Sequence, residues 1–210
     1  MAEKLFDIDA NELFKIIDAL KDTPKEIRPA IAHAVNKTLE TTQTKIKKEV
    51  TSEYAIKQKV LTAKDGKGNK PLKLERANVN NLTGAAVSTG YQIATYKFPH
   101  IPKATVRTKY GVKVQVKKGG GKKPISFNGN KAFKINVHSN SMVFARKGKE
   151  RYPIKKLYAL SVPQMISDMS GKKDSIRRIQ EHAARELPKK VDQEINYRLD
   201  KIIKERGVGK

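Results

Sequence analysis

The feature that most restricts the fold of this chain is a change of hydrophobic period: helical toward both ends, two in the middle. Ile27, Ile31, Val35, Leu39, Thr42, Ile46 and Val50 recur at steps of three and four, and the stripe extends toward Tyr54. Ile176, Ile179, Ala183, Leu187, Val191, Ile195, Leu199 and Ile202 repeat the pattern later. Between them, Ala104, Val106, Thr108, Tyr110, Val112, Val114 and Val116 alternate with Lys103, Arg107, Lys109, Lys113 and Lys117. A single apolar stripe gives a helix one buried side. A period of two in β-branched residues gives a strand with one wet face. Helices, then antiparallel strands, then a helix make an α+β fold: an antiparallel β-sheet flanked by long N-terminal and C-terminal amphipathic helices. The length suits one domain, 1–210, with a helical part at 1–63, a basic β-rich part at 64–158 and a helical part at 159–210.

Punctuation refines the elements. Asp9 and Glu12 have capping-box spacing, which predicts a short helix over Asn11–Lys21. Thr23-Pro24 reads as an N-cap with Pro at the first helical position, and Pro29 predicts that the long helix starts near Arg28 or bends there. Thr62–Pro71 is a loop, Gly111 marks a bulge or bend, and Lys117–Pro124 is a flexible basic loop. Residues 131–138 and 141–146 form a hairpin, with Phe133, Ile135 and Val137 on one face; shorter strands are expected within 72–98. Helical period resumes after Pro163. Pro188 lies within the second stripe and predicts a kinked helix or two helices nearly in line.

The net charge of +24 is unevenly placed: residues 64–158 carry 22 basic and three acidic residues, a net of +19, against +1 before and +4 after. A single-sign block of this size attracts polyanions, either nucleic acid or an acidic protein surface. Period two sets Arg107, Lys109, Lys113 and Lys117 on one side of a strand, and Lys118, Lys122 and Lys123 continue the line into the loop. These seven are expected to form one electropositive surface facing an acidic partner or DNA phosphates. The aromatic among them, Tyr110, alternates with the apolar set and belongs to the buried face, so any nucleic acid would be held through phosphates without sequence readout. Lysines on a wet strand face also serve solubility and edge protection, but solubility alone does not call for +19 in one block. The charge by itself supports an alternative: a free, non-sequence-specific nucleic-acid-binding protein.

Catalytic constellations are missing. There is no Cys, which excludes disulfides, thiolate metal sites and thiol nucleophiles. A phosphate loop around Gly121-Lys122 would need Gly and Ser or Thr where Val116 and Lys123 stand. Lys67 and Lys70 occupy positions where a calcium loop at Asp65 needs a ligand and a Gly. His33, His100, His138 and His182 share no metal-ligand spacing. The acids of 64–158 are Asp65, Glu75 and Glu150, too few to converge as acid and base in a cleft. The expectation is no enzyme, no cofactor and no metal. No apolar run reaches membrane-span length, and Met1–Asp9 carries acids and lacks the features of a signal peptide, so a soluble protein made in the cytoplasm is expected.

Three consecutive runs stand out: Val143-Phe144-Ala145-Arg146-Lys147-Gly148, then Tyr152-Pro153-Ile154-Lys155-Lys156-Leu157-Tyr158, then Ser161-Val162-Pro163-Gln164-Met165. Together they resemble the signature of the minor tail protein Z family of long-tailed phages and prophages. The similarity extends more weakly over most of the chain. It includes Ala34-Val35-Asn36-Lys37-Thr38, Tyr54-Ala55-Ile56-Lys57 and Lys117-Lys118, and departs where Ala159-Leu160 replaces the family's usual Gly-Pro. The resemblance implies a structural virion protein that completes the tail at its head-proximal end. It further implies a homo-oligomeric ring, commonly a hexamer, around the DNA channel of the head–tail neck. Its neighbours would be tail terminator and head-completion proteins, with assembly in the host cytoplasm, and no catalytic residues are carried over. In the signature, Pro153 and Pro163 stiffen the backbone. Tyr152, Leu157, Tyr158, Val162, Gln164 and Met165 are then expected either to dock that segment on a neighbour or to pack it within its own subunit.

Overall fold

In the computed structural model of the chain, residues 3–9, 27–64, 68–103, 111–137, 140–169 and 172–205 are described. The first apolar stripe becomes α1, Ile27–Glu53. Ile31, Val35, Leu39, Thr42, Ile46 and Val50 are all buried, as is Tyr54 just beyond, while Ile27 at the start of the stripe is half-buried. The helix expected at 11–21 and the Thr23-Pro24 cap lie outside the described residues. The chain divides into two compact units, each gathered from separated stretches.

The first unit takes in residues 1–47, 72–89 and 170–210. Its sheet has the order β1-β3-β2, antiparallel throughout, with β1 at Glu3–Asp9, β2 at Leu72–Glu75 and β3 at Thr83–Ser88. Asn78 closes the β2–β3 turn: its Oδ1 accepts from the backbone N–H groups of Asn80 and Asn81, both at 2.9 Å. Ile31, Ala32, Val35 and Leu39 of α1 pack with Ala77, Leu82 and Ala183. β3 presents Gly84 at this face, and smallness is required there. A Cβ on Gly84 would lie 2.5 Å from Leu39 Cδ1 and 3.2 Å from Val35 Cγ1. Asn36 clamps the strand connection to α1, bonding both the N–H and the C=O of Ala77 at 2.9 Å.

The second stripe becomes one helix in this unit, α4 at Lys172–Glu205, continuous through Pro188. Pro188 and Ala184, whose carbonyl loses its helical donor, are both exposed, so water can satisfy the freed group. Ile179 and Ala183 are buried, and Ile176, Leu187, Val191 and Ile195 are half-buried. Further along, the buried member is Glu194, whose carboxylate bonds Lys37 Nζ and, at 2.7 Å, His33 Nδ1 of α1.

The second unit takes in residues 48–71 and 90–169. It contains α2 (Gln58–Thr62) and several small antiparallel sheets in place of one large one. β4 (His100–Ile101), β5 (Lys113–Val114) and β6 (Lys123–Pro124) form the order β4-β5-β6. β7 (Ser126–Phe127) and β8 (Asn130–Lys131) form a hairpin with positive φ at Asn128 (49°) and Gly129 (75°), the turn geometry that Asn-Gly favours. β9 (Phe133–Val137), β10 (Asn140–Arg146) and β11 (Ile154–Lys156) form the order β11-β10-β9, and the β9–β10 pair is the expected hairpin. α3 (Val162–Ser167) starts at a reciprocal capping box between Ser161 and Gln164.

The long basic strand is corrected here. Residues 104–110 lie outside the described ones. Beyond them Gly111 bends the chain at φ 73°, the regular strand is only Lys113–Val114, flanked by backbone bonds at Val112 and Gln115, and Lys117 makes an isolated bridge to Tyr54. The alternation survives locally: Val112 and Val114 are buried and Lys113 between them is half-buried. On β9 the apolar residues share one face as expected, but one lysine of the opposite face is buried. Lys134 is buried while Phe133, Ile135 and Val137 are half-buried.

Candidate interaction surface

Charge and structure divide along the same line. The second unit holds 23 basic and five acidic residues, a net of +18; the first holds 22 and 16, a net of +6. Most of the positive charge of the second unit therefore has no acid within that unit to neutralise it, and its surface is a strong anion attractor.

Of the seven cations expected to form one surface, Arg107 and Lys109 lie outside the described residues. Lys113 is half-buried on the central strand of its sheet. Lys117, Lys118 and Lys122 are exposed on the β5–β6 connection, and Lys123 is exposed at the start of β6. Lys117 differs from the others in having an internal partner. Its Nζ lies 2.9 Å from Asp168 Oδ2 and 3.1 Å from the Asp168 carbonyl, and 5.7 Å from the centre of the Tyr54 ring. The Tyr54 hydroxyl donates to the same carboxylate oxygen at 3.1 Å. Hydrogen bonds from Lys117 and Tyr54 hold the Asp168 carboxyl below its ordinary range. Burial, reinforced by the bond to that carboxylate, pushes the Tyr54 phenol up. Lys117 is thus a tie between backbone segments, and Lys118, Lys122 and Lys123 are the members of the set whose exposure suits an outside partner.

A second cation is wholly internal. Lys134 Nζ lies 3.1 Å from His100 Nε2 and 3.2 Å from the Pro102 carbonyl, and also donates to the Lys103 carbonyl. His100 Nε2 must accept, which puts the imidazole proton on Nδ1, 2.8 Å from the Phe98 carbonyl. Burial lowers the pKa of this amine, and its role is to fasten β9 to the chain that leaves β4.

The signature residues separate into two groups. Leu157, Val162, Pro163 and Met165 are buried within the unit. Gln164 is exposed but engaged in the α3 cap, accepting from the Ser161 N–H at 2.9 Å. Pro153 is exposed, and Tyr152 and Tyr158 are exposed aromatics at 66% and 48%. Backbone pairing explains the split. Residues 93–95 run antiparallel to 157–159, with Thr95 N–H on the Leu157 carbonyl (3.2 Å) and Ala159 N–H on the Ile93 carbonyl (2.7 Å). Ile93, Thr95 and Leu157 are buried, while Tyr158 is exposed and Tyr96, in a single 3-10 turn, and Lys156 are half-buried, an outer group beside them. Lys156 Nζ sits 5.5 Å from the ring centres of both tyrosines, and Lys97 Nζ sits 4.9 Å from that of Tyr96. Tyr96 belongs to this outer group although nothing near it in sequence announces it.

Among the described residues, no three His, Asp or Glu side chains gather in a way that could hold a metal ion, and no helix is long and apolar enough to cross a membrane. The family described as prophage minor tail protein Z (GPZ) matches residues 13–205. No curated protein and no solved structure matches the chain.

Proposed function

This chain belongs to the prophage minor tail protein Z family, and is thereby a structural protein of the phage tail, a virion component in contact with other virion proteins; from that premise we propose that it is a non-enzymatic subunit of a homo-oligomeric ring at the head-proximal end of the tail. The ring, a hexamer in this reading, surrounds the DNA channel and meets tail terminator and head-completion proteins. The observation that carries the reading beyond the family is the pairing of a +18 unit with a +6 unit of mixed charge in a single subunit. Closed rings with head-to-tail contacts need two unlike surfaces on each copy, and an electropositive surface repeated around a ring suits a channel that passes a polyanion. Lys118, Lys122 and Lys123 supply the electropositive surface, and Tyr158 supplies an exposed aromatic anchor of the type that dominates protein interfaces.

Native mass spectrometry of the purified chain, together with its copy number in purified virions, tests this. A ring of one defined size and a matching copy number are expected. Absence from mature particles overturns the tail role, and a strict monomer at every concentration with no ring in the particle overturns the ring. The same charge favours a second reading, a free nucleic-acid-binding protein. That reading predicts a chain found in the infected cell and missing from the virion.

A further inference from the structure

Positive charge is also organised away from the β5–β6 connection, on two neighbouring hairpins of the second unit. The β7–β8 hairpin turns at Asn128-Gly129. The β10–β11 hairpin carries the loop 147–153, closed at its base by a bond from Lys147 N–H to the Pro153 carbonyl at 3.0 Å. The two hairpins are tied together. Asn130 Nδ2 donates to the carbonyls of Arg146 (3.3 Å) and Gly148 (3.1 Å), and Lys155 Nζ stands 4.3 Å from the centre of the Phe127 ring. Lys131, Arg146, Lys147, Lys149, Arg151 and Lys155 are exposed on this tied pair, and Glu150 is the one acid in residues 126–156.

We propose that these paired hairpins bind the phosphate backbone of double-stranded DNA. Composition distinguishes this occupant from a protein. Interfaces between proteins deplete Lys and centre on apolar or aromatic side chains, whereas DNA-facing surfaces are polar and strongly positive. From Arg146 to Tyr152 every residue is exposed and the one aromatic is Tyr152, so no apolar centre exists. A single strand would need open ring faces for stacking. Here Phe127 is half-buried with the Lys155 amine over its ring, and Tyr152, with the Arg151 guanidinium 5.8 Å from its ring centre, is the one exposed ring on the described residues of the pair, too few to stack successive bases. What remains is an array of cations held by backbone ties, which contacts phosphates without reading bases. This surface is separate from ring closure and does not depend on it.

The test uses the whole chain and a labelled DNA duplex of about 25 base pairs, with affinity followed from about 50 to 200 mM salt. Replacing Lys147, Lys149 and Arg151 by Gln is expected to make the dependence of log affinity on log salt shallower by about 2 to 3, near one per lost phosphate contact. A control with Arg185→Gln, Lys189→Gln and Lys190→Gln on α4 removes the same charge and is expected to leave the slope nearly unchanged. Lys147→Arg with Lys149→Arg keeps the wild-type slope and shows that the loop folds normally when altered. Equal effects of the hairpin and α4 variants, or no duplex binding by the wild type, overturn the proposal. So does unchanged DNA binding by a hairpin variant that no longer associates with other virion proteins. Native mass spectrometry of the hairpin variant is expected to show the same ring as wild type, so a failure of the ring reading is visible separately.

Discussion

Tyr54 and Lys117 face each other across an isolated antiparallel bridge and both donate to one oxygen of Asp168, at 3.1 and 2.9 Å. The backbone repeats the connection, with Ala55 N–H on the Val116 carbonyl (2.8 Å) and Lys118 N–H on the Glu53 carbonyl (2.7 Å). Tyr54-Ala55-Ile56-Lys57, Lys117-Lys118 and the run ending at Met165 are distant in sequence and all belong to the family resemblance. The structure brings the first two together, and Asp168, just past the third, holds them.

Tyr54→Phe keeps the buried ring and deletes only the hydroxyl, while Asp168 retains Lys117. The lost bond goes to a charged acceptor, so the expected cost is about 1–2 kcal/mol, seen as a drop of several degrees in Tm. Combined with Asp168→Asn, the effects should be less than additive, since both remove one interaction. Strict additivity in thermal melts would show that the hydroxyl and the carboxylate are not coupled.

Gly84→Ala tests the close approach of α1 to β3. The added methyl meets Leu39 Cδ1, a side chain locked in the core, and backbone at the Glu75 carbonyl 3.3 Å away. Overpacking of this kind costs about 1–3 kcal/mol. Leu39→Val in the Gly84→Ala background should recover part of the loss, although Leu39→Val alone destabilises. A Gly84→Ala protein that melts like wild type would mean the helix can move away without cost.

Glu194 makes acid stability specific to one site. Burial alone would raise its pKa, but hydrogen bonds from Lys37 and His33 outweigh that and hold it below the ordinary Glu value. A depressed carboxyl stabilises the fold above the unfolded-state pKa, about 4.3, and the contribution disappears as pH falls through the lower folded value. Glu194→Gln should therefore be less stable at pH near 7, by about 1–2 kcal/mol given that Lys37 and His33 are half exposed. The Tm gap between the two proteins should close as pH drops below about 4. A gap that is constant with pH would remove Glu194 ionisation from the account.

Legibility in the sequence followed the range of the interactions. The α1 stripe repeats one rule over seven positions, so its buried face could be read residue by residue; the β9–β10 hairpin and α4 were equally local. β1 was not anticipated because its structure depends on pairing with Thr83–Ser88, far along the chain. A division into three consecutive parts could not foresee that the β2–β3 hairpin groups with residues from both ends of the chain. Asn128-Gly129 carried a readable hairpin signal that the period-two argument passed over. The burial of Lys134 was not legible from alternation, because the His100 side chain and the carbonyls of Pro102 and Lys103, which receive its amine, lie about 30 residues earlier in the chain. In the basic set, nothing local separates Lys117 from Lys118. The difference is Asp168, 51 residues away.

That distinction decides how the basic surface should be tested. Reversing Lys117 to Glu would set a carboxylate against Asp168 and break a tie that also holds Tyr54, so any loss of function would be confounded with loss of fold. Lys113 is half-buried on a central strand and carries the same difficulty. Lys118, Lys122 and Lys123 are exposed. Changing all three to Glu should cost less than about 0.5 kcal/mol each, so Tm should stay within a few degrees of wild type. If this surface meets an acidic partner or DNA in the assembled phage, the folded triple variant should be incorporated poorly into particles or should give particles of low infectivity. Lysates complemented with the variant, scored for infectious yield and for joined heads and tails by electron microscopy, provide the measurement. Normal yield and normal joining from a protein that folds as wild type would reduce these lysines to a solvated loop.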